Sequence, residues 1–502
     1  ARMKRTFLLK KLFVGIALVG LGFGGLQAAV NHSNFFNDPF ESGPEVTARC
    51  VGCHDEEAGE FMSTIHWTWE HSTPGGQDLG KKEVINNYCV ALSSNEPRCT
   101  SCHAGYGWRD STFDFGDSSK IDCIVCHDQT GTYKKTPTGA GAVDPNVDLL
   151  AVAQSVGERP TRVACGTCHF YGGGGDAVKH GTVDSTLGMA DLDPAVDVHM
   201  GAIDQGGLGF LCVDCHIERP EDPPGDWESN HTIVGSRYSK TSADNVTCQR
   251  CHTSNPHESG TSEENDRLNT HASIVACQTC HIPAMARGNK ATKTWWDWRP
   301  AGEKNPDGSD KVIKDADGNV IYHTKKGEFI WERDLVPEYV WANGGVTYVT
   351  LESTVTGDEI VSINSLHGAI DDPNSRIMPV KHFRGIQPYD QGTATLAVPH
   401  LYPYGPDDTS ALWKSYDWTA SLSEGQSSVG RTFIGPVGWV ETEMFWVQNH
   451  MVAPKEQALT CSDCHTPRGR LDFAALGYDA ERAVELSTML GFEIAELDVV
   501  ST

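Results

Sequence analysis

Eight copies of Cys-x-x-Cys-His constrain what this 502-residue chain can fold into more than any other feature. They are Cys50, Cys53 and His54; Cys99, Cys102 and His103; Cys123, Cys126 and His127; Cys165, Cys168 and His169; Cys212, Cys215 and His216; Cys248, Cys251 and His252; Cys277, Cys280 and His281; and Cys461, Cys464 and His465. In such a run each thiol adds to a porphyrin vinyl group and the histidine becomes an axial iron ligand, the signature of covalent c-type haem. One copy could belong to a zinc site, but eight in one chain predict eight covalently attached c-type haems. Porphyrins replace much of an aliphatic core and the thioether bonds staple long loops, which suits a chain with 51 glycines. The expected fold is mostly α with extensive irregular structure and few strands, wrapped round a closely packed haem array, with a small β-rich insert.

The order of segments follows from the spacing of these signatures. Lys4, Arg5, Lys10 and Lys11 precede an apolar run over 12–26, and Ala28 and Ala29 follow it, the pattern of a secretory signal peptide. Residues 1–29 are therefore expected to be a signal peptide and 30–281 a seven-haem body. Residues 282–460 read as a haem-free insert of β-hairpins and loops, able to shield haems or meet a partner. Residues 461–502 hold the eighth signature and a C-terminal helix that Asp479 would cap. Within the insert, Asp307-Gly308 and Asp317-Gly318 read as hairpin turns, because Gly318 is misplaced for an EF-hand calcium loop. Export would place the protein in the periplasm or outside the cell, where c-type haem is attached. No other segment is long and apolar enough to cross a bilayer once the signal is removed. The formal charge of −27 excludes nucleic acid, and fits either solubility or docking with a basic redox partner.

A low-spin electron-transfer haem usually takes a second histidine from elsewhere in the chain. Eight of the 21 histidines belong to the signatures, and seven of the rest lie in contexts suited to this role: His32, His66, His199, His231, His257, His271 and His450. Seven second ligands for eight irons leave one haem with a different ligand or an open position. The stretch from Cys165 to His180 offers a candidate, since four glycines there are followed by Asp176, Lys179 and His180. A lysine amine binds metal once it loses its proton, which desolvation or nearby positive charge promotes. With sixteen of the 17 cysteines in signatures, Cys89 remains. Lys81, Lys82 and Arg98 flank it, and cationic surroundings favour the nucleophilic thiolate.

The chain resembles the octahaem tetrathionate reductase family of exported c-type cytochromes. The resemblance rests on His-Trp-Thr-Trp-Glu-His at 66–71, Gly-Lys-Lys-Glu-Val-Ile-Asn-Asn-Tyr-Cys at 80–89 and Cys-Thr-Ser-Cys-His-Ala-Gly-Tyr-Gly-Trp at 99–108. It continues through the glycine-rich stretch at 168–181, Cys-Gln-Thr-Cys-His-Ile-Pro at 277–283 and Asn-His-Met-Val-Ala-Pro-Lys at 449–455. In that family one haem carries a lysine nitrogen on its iron, and a free cysteine and an aspartate line the cavity. Matched by motif these are Lys179, Cys89 and Asp176, and the resemblance assigns the lysine to the second haem, that of Cys99, Cys102 and His103.

The implied activity is reduction of a small anionic substrate: tetrathionate to thiosulfate, with nitrite or hydroxylamine as alternatives. Cys89 would attack the central S–S bond, while Asp176 and His180 would supply protons. Electrons would come from a quinol-linked or soluble cytochrome partner. A different class of function competes, a non-enzymatic electron conduit acting as periplasmic shuttle or as subunit of an extracellular cytochrome wire. A homo-oligomer or filament is compatible with either. Hydroxylamine oxidation is a third reading, dependent on a haem–tyrosine cross-link that sequence does not identify.

Overall fold

A helical turn brings positions i, i+3 and i+4 to one side, which is what Cys-x-x-Cys-His requires. In the computed structural model the signatures accordingly sit on or beside short helices. These are Gly43–Val51, Glu96–Cys99 running into the 3-10 turn Thr100–Cys102, Ile124–His127, Arg162–His169, the 3-10 turn Cys212–Asp214, Gln249–His252, Cys277–His281 and Cys461–Cys464. The structure describes residues 31–502 apart from 73–77, 87–89, 172–175, 177, 179–181, 217–230, 232–245 and 492–502. Longer helices carry explicit caps. Ser262–His271 begins with a capping box in which Thr261 and Glu264 bond reciprocally, and its last residue is His271. Ala480–Thr488 starts at Asp479, whose carboxylate accepts the Arg482 amide at 2.9 Å, the cap expected from sequence.

The region expected to be a small insert is instead the largest ordered element of the fold. Nine strands form one mixed sheet: β1 (Thr292–Asp297), β2 (Val312–Lys314), β3 (Val320–His323), β4 (Gly327–Glu332), β5 (Glu338–Ala342), β6 (Val361–Ser362), β7 (Arg376–Asp390), β8 (Thr395–Leu396) and β9 (Val437–Val447). The order is β2-β3-β4-β1-β7-β9-β6, with β5 and β8 also paired to β7. β7 and β9 run antiparallel from Val380 opposite Val447 to Asp390 opposite Val437, and β1 lies parallel to β7. The expectation of few strands, which rested on porphyrins replacing an aliphatic core, failed: β7 runs from Arg376 to Asp390 through Pro379 and Pro388, residues usually confined to strand edges. Both nevertheless hold register, opposite Tyr339 and Trp439. Gly318 takes a left-handed φ of 87°, and Asp315 accepts the Asp317 and Asn319 amides, closing the β2–β3 hairpin as a turn.

The sheet is built into the haem-signature region. Its buried face contributes Trp296, Trp298, Phe383, Val440, Met444 and Trp446 to a cluster that also holds Ile85, Val90, Ala91 and Val178. Residues His32–Thr502 form one compact unit. Among the described residues no helix is long and apolar enough to cross a membrane.

Candidate functional site: paired imidazoles and an unpaired one

An iron held between two imidazoles needs ring centroids about 6 Å apart, from metal–nitrogen bonds of about 2 Å and about 1 Å more to each centroid. Seven pairs of histidines stand at this spacing. His32 and His54 are 6.3 Å apart, His66 and His169 6.1 Å, His231 and His127 6.1 Å, and His199 and His252 6.0 Å. His450 and His216 are 5.9 Å apart, His257 and His281 6.4 Å, and His271 and His465 6.2 Å. Each pair joins one signature histidine to one of the seven others singled out from sequence. His271 faces the last signature, not the adjacent one that begins at Cys277.

The chemistry of these rings also suits iron. A ligand imidazole must be neutral, and burial lowers the pKa of His66, His127, His199 and His281, with His450 pushed down to about 3. Backbone carbonyls of Gly157, Leu486 and Arg267 accept from Nδ1 of His127, His465 and His271, leaving Nε2 for metal. The residues present therefore fit c-type haem. The Cys168 thiol donates to the Cys102 carbonyl at 3.5 Å, bringing the second and fourth signatures together.

His103 of the second signature differs. It is fully buried, and burial pushes its pKa down to about 4. Its neighbours are aromatic: Trp108 at 4.9 Å, Trp67 at 5.1 Å, Trp69 and Phe113 at 5.5 Å, and Phe115 at 6.0 Å. Among the described residues no second imidazole stands at ligand spacing from it. Its Nε2 donates to the Trp67 carbonyl at 2.7 Å, a bond it must release to bind iron through that nitrogen.

Lys179, His180 and Cys89 lie outside the described residues. Their surroundings are partly described. Val178 and Val90, the chain neighbours of Lys179 and Cys89, are both fully buried in the same cluster under the sheet. The Val178 carbonyl accepts from the buried Lys381 amine at 3.1 Å. Asp176 is half-buried, and its Oδ1 accepts the Ser185 amide at 3.2 Å.

The chain matches the family described as cytochrome c bacterial over residues 293–468, and that described as cytochrome c554 and c-prime over residues 49–128. The crystal structure of octahaem cytochrome c from Shewanella oneidensis shares 41% sequence identity and a TM-score of 0.79 with this chain, covering 90% of it and 97% of that protein. The chain belongs to the octahaem tetrathionate reductase family of multihaem c-type cytochromes. A protein of Archaeoglobus fulgidus, described as uncharacterized, is 24% identical over 237 residues, which are 37% of this chain and 78% of its own.

Three arrangements in this octahaem-family chain escaped sequence reading. Asp122 and Lys135 form a buried ion pair at 2.8 Å, and the same amine donates to the His103 carbonyl. Asp197, 1% exposed, accepts the His199 and Met200 amides on one oxygen and those of Met451 and Val452 on the other, tying together the loops that carry His199 and His450. Ser94, His400 and Asp408 are aligned like a hydrolytic triad, but His400 Nδ1 faces the Ser94 carbonyl at 2.8 Å and Nε2 faces Asp408 at 2.7 Å. The Ser94 hydroxyl also lies 2.9 Å from Nδ1, and the imidazole clamps the 400–408 loop to the segment before the second signature. A signal was available only for Asp197, through its place two residues before His199.

Proposed function

We propose that this octahaem-family cytochrome is an exported reductase of a small sulfur or nitrogen oxoanion, working at the second of eight covalently bound haems. That haem would be ligated by His103 and Lys179, and the other seven by the imidazole pairs. One observation carries the reading: seven signature histidines each have an imidazole at iron-spanning distance, whereas His103 has aromatic neighbours instead. The shared burial of Val178 and Val90 supports a common location for Lys179 and Cys89.

Haem bound at the signatures would store electrons and pass them along the array to the second site. The protein's own residues would do the rest. The Cys89 thiolate attacks the central S–S bond of tetrathionate, forming a cysteinyl thiosulfonate and expelling thiosulfate; two electrons then release the second thiosulfate and restore the thiolate. The Lys179 ammonium, when protonated, holds the dianion, and Asp176 and His180 serve as proton donors where nitrite or hydroxylamine is the substrate. A quinol-linked or soluble cytochrome would supply electrons.

The test joins spectroscopy to turnover. Electron paramagnetic resonance and magnetic circular dichroism of the purified protein should show one His/Lys or high-spin haem among bis-histidine haems. Cys89→Ser should lose most tetrathionate turnover with reduced methyl viologen. Eight bis-histidine spectra and unaltered electron transfer in C89S would instead identify an electron conduit.

A further inference from the structure

Resting on this reductase reading, we infer that Asp184 is an internal acid that resupplies Asp176 with protons, so that the site is built for substrates whose reduction consumes them. Asp184 lies just beyond the glycine-rich stretch and is fully buried. Its Oδ1 caps the 3-10 helix Ser185–Gly188 by accepting the Thr186 amide at 2.8 Å and the Thr186 hydroxyl. Its Oδ2 is equally buried and, among the described residues, has no hydrogen-bond partner. A helix cap needs one oxygen. A second carboxyl oxygen left in a dry interior is costly as an anion and tolerable as a hydroxyl, so the side chain is suited to hold a proton.

Position gives that proton a destination. The amide of Ser185, the next residue, donates to Asp176, placing the two carboxyl groups on either side of one peptide. Burial raises the Asp184 pKa to about 6; the Thr186 bonds oppose the rise, the negative charge of Asp176 adds to it, and Lys290 opposes it. Asp176 faces it from the glycine-rich stretch, and Lys290 from a loop whose Gly288 packs against Thr186. Lys290 is exposed, so the carboxyl sits between a cationic point on the surface and the half-buried Asp176.

The candidate substrates differ in demand for protons. Tetrathionate takes two electrons and no proton to give two thiosulfates. Hydroxylamine takes two electrons and three protons to give ammonium and water. In the second case Asp176 gives its proton to the substrate, the Asp184 hydroxyl, which makes no direct bond to Asp176, passes its own to the Asp176 carboxylate through one water, and solvent on the Lys290 side reprotonates Asp184. The electrons come from a one-electron donor through the haem array.

The experiment compares Asp184→Asn with the parent haem-loaded protein, using reduced methyl viologen and each substrate between pH 5 and 8. Asparagine keeps the capping oxygen and removes the acid. Hydroxylamine turnover should fall at least about tenfold and lose its dependence on a group near pH 6, with tetrathionate turnover unchanged. Thr186→Val, which removes the hydroxyl bond to Asp184, should move that limb of the hydroxylamine profile to higher pH. Infrared difference spectra on reduction should show a carboxylic-acid C=O band that titrates near pH 6 and vanishes in D184N. Equal losses on both substrates, or a band that persists in D184N, would overturn the inference. If the parent protein reduces neither substrate, the reductase reading fails and the infrared arm decides alone: a reduction-linked band lost in D184N upholds Asp184 as a proton carrier, and no such band overturns it.

Discussion

Replacing Lys135 by methionine tests the best-defined buried electrostatics in the fold. The Lys135 amine lies 2.8 Å from Asp122, with side-chain exposures of 3% and 0%, and donates 2.5 Å to the His103 carbonyl. Asp122 also accepts from the Tyr106 hydroxyl at 2.8 Å, the Tyr133 hydroxyl at 2.6 Å and the Val125 amide at 3.0 Å. Burial and then the charge of Asp122 push both tyrosines above their ordinary pKa, which keeps them as donors. Breaking a buried pair by removing one partner costs about 3–5 kcal/mol. Three donors remain on Asp122 after Lys135→Met, which places the expected loss near the lower end, about 3 kcal/mol. Asp122→Asn leaves the ammonium with no carboxylate, only the His103 carbonyl and the face of the Tyr106 ring, so its loss should be larger. The double variant should lose less than the sum, by about 2 kcal/mol, because neither charge is then buried alone. Urea unfolding of the haem-loaded protein, followed by far-ultraviolet circular dichroism and Soret absorbance, measures all three. A loss below about 1 kcal/mol for K135M, or strict additivity, would refute the argument that this charge pair is desolvated and coupled.

Other expectations follow from the same geometry. His450→Ala should convert one low-spin haem to high spin, with the remaining low-spin signals in the resonance spectrum unmoved, since His450 faces only His216 at ligand spacing. Asp197→Asn can satisfy the amides of one loop but not both, so it should perturb exactly the haems served by His199 and His450, seen as two altered signals. The raised pKa of Asp184 means the fold binds its proton more tightly than the unfolded chain does. Stability from this group is full below the ordinary carboxylate range and is lost as pH rises through about 6; D184N should flatten that decline in pH-dependent unfolding.

What the sequence made legible was whatever chemistry writes into local spacing. Cys-x-x-Cys-His is a helical turn, so its residue types and its helix are the same information. The seven other histidines were identifiable by count and context, but their pairing was not: His450 meets His216 across the whole sheet region, and His271 passes the nearest signature to reach His465. The sheet was underestimated because the expectation let porphyrins stand in for a side-chain core, whereas Trp296, Phe383, Val440, Met444 and Trp446 build one on the sheet itself. Its register comes from eleven consecutive cross-strand positions between β7 and β9, a property no segment displays alone. Asp122, Lys135, Asp184 and Asp197 look like ordinary polar loop residues. Their burial depends on elements far away in the chain.

The distribution of buried cations bears on why a lysine could serve as an iron ligand here at all. On a chain with a formal charge of −27, the side chains of Lys135, Lys293 and Lys381 are nonetheless buried. Lys135 bonds the His103 carbonyl, Lys381 bonds the carbonyl of Val178, and Lys293 lies close enough to Lys381 to disfavour its protonation. Burial is the larger cause of the depressed Lys381 pKa, with the Lys293 charge second. The same two causes would act on any amine placed beside them, as is proposed for Lys179, which follows Val178 in the chain. An interior that disfavours ammonium supplies a neutral nitrogen, and a positive charge retained at that depth draws in a dianion. An amine that binds metal and a site that binds an oxoanion thus have one electrostatic origin. Substituting Lys293, whose charge acts on Lys381, by methionine should therefore weaken both together: the fraction of lysine-ligated haem at a given pH and the affinity for tetrathionate. A loss of one without the other would separate the two roles.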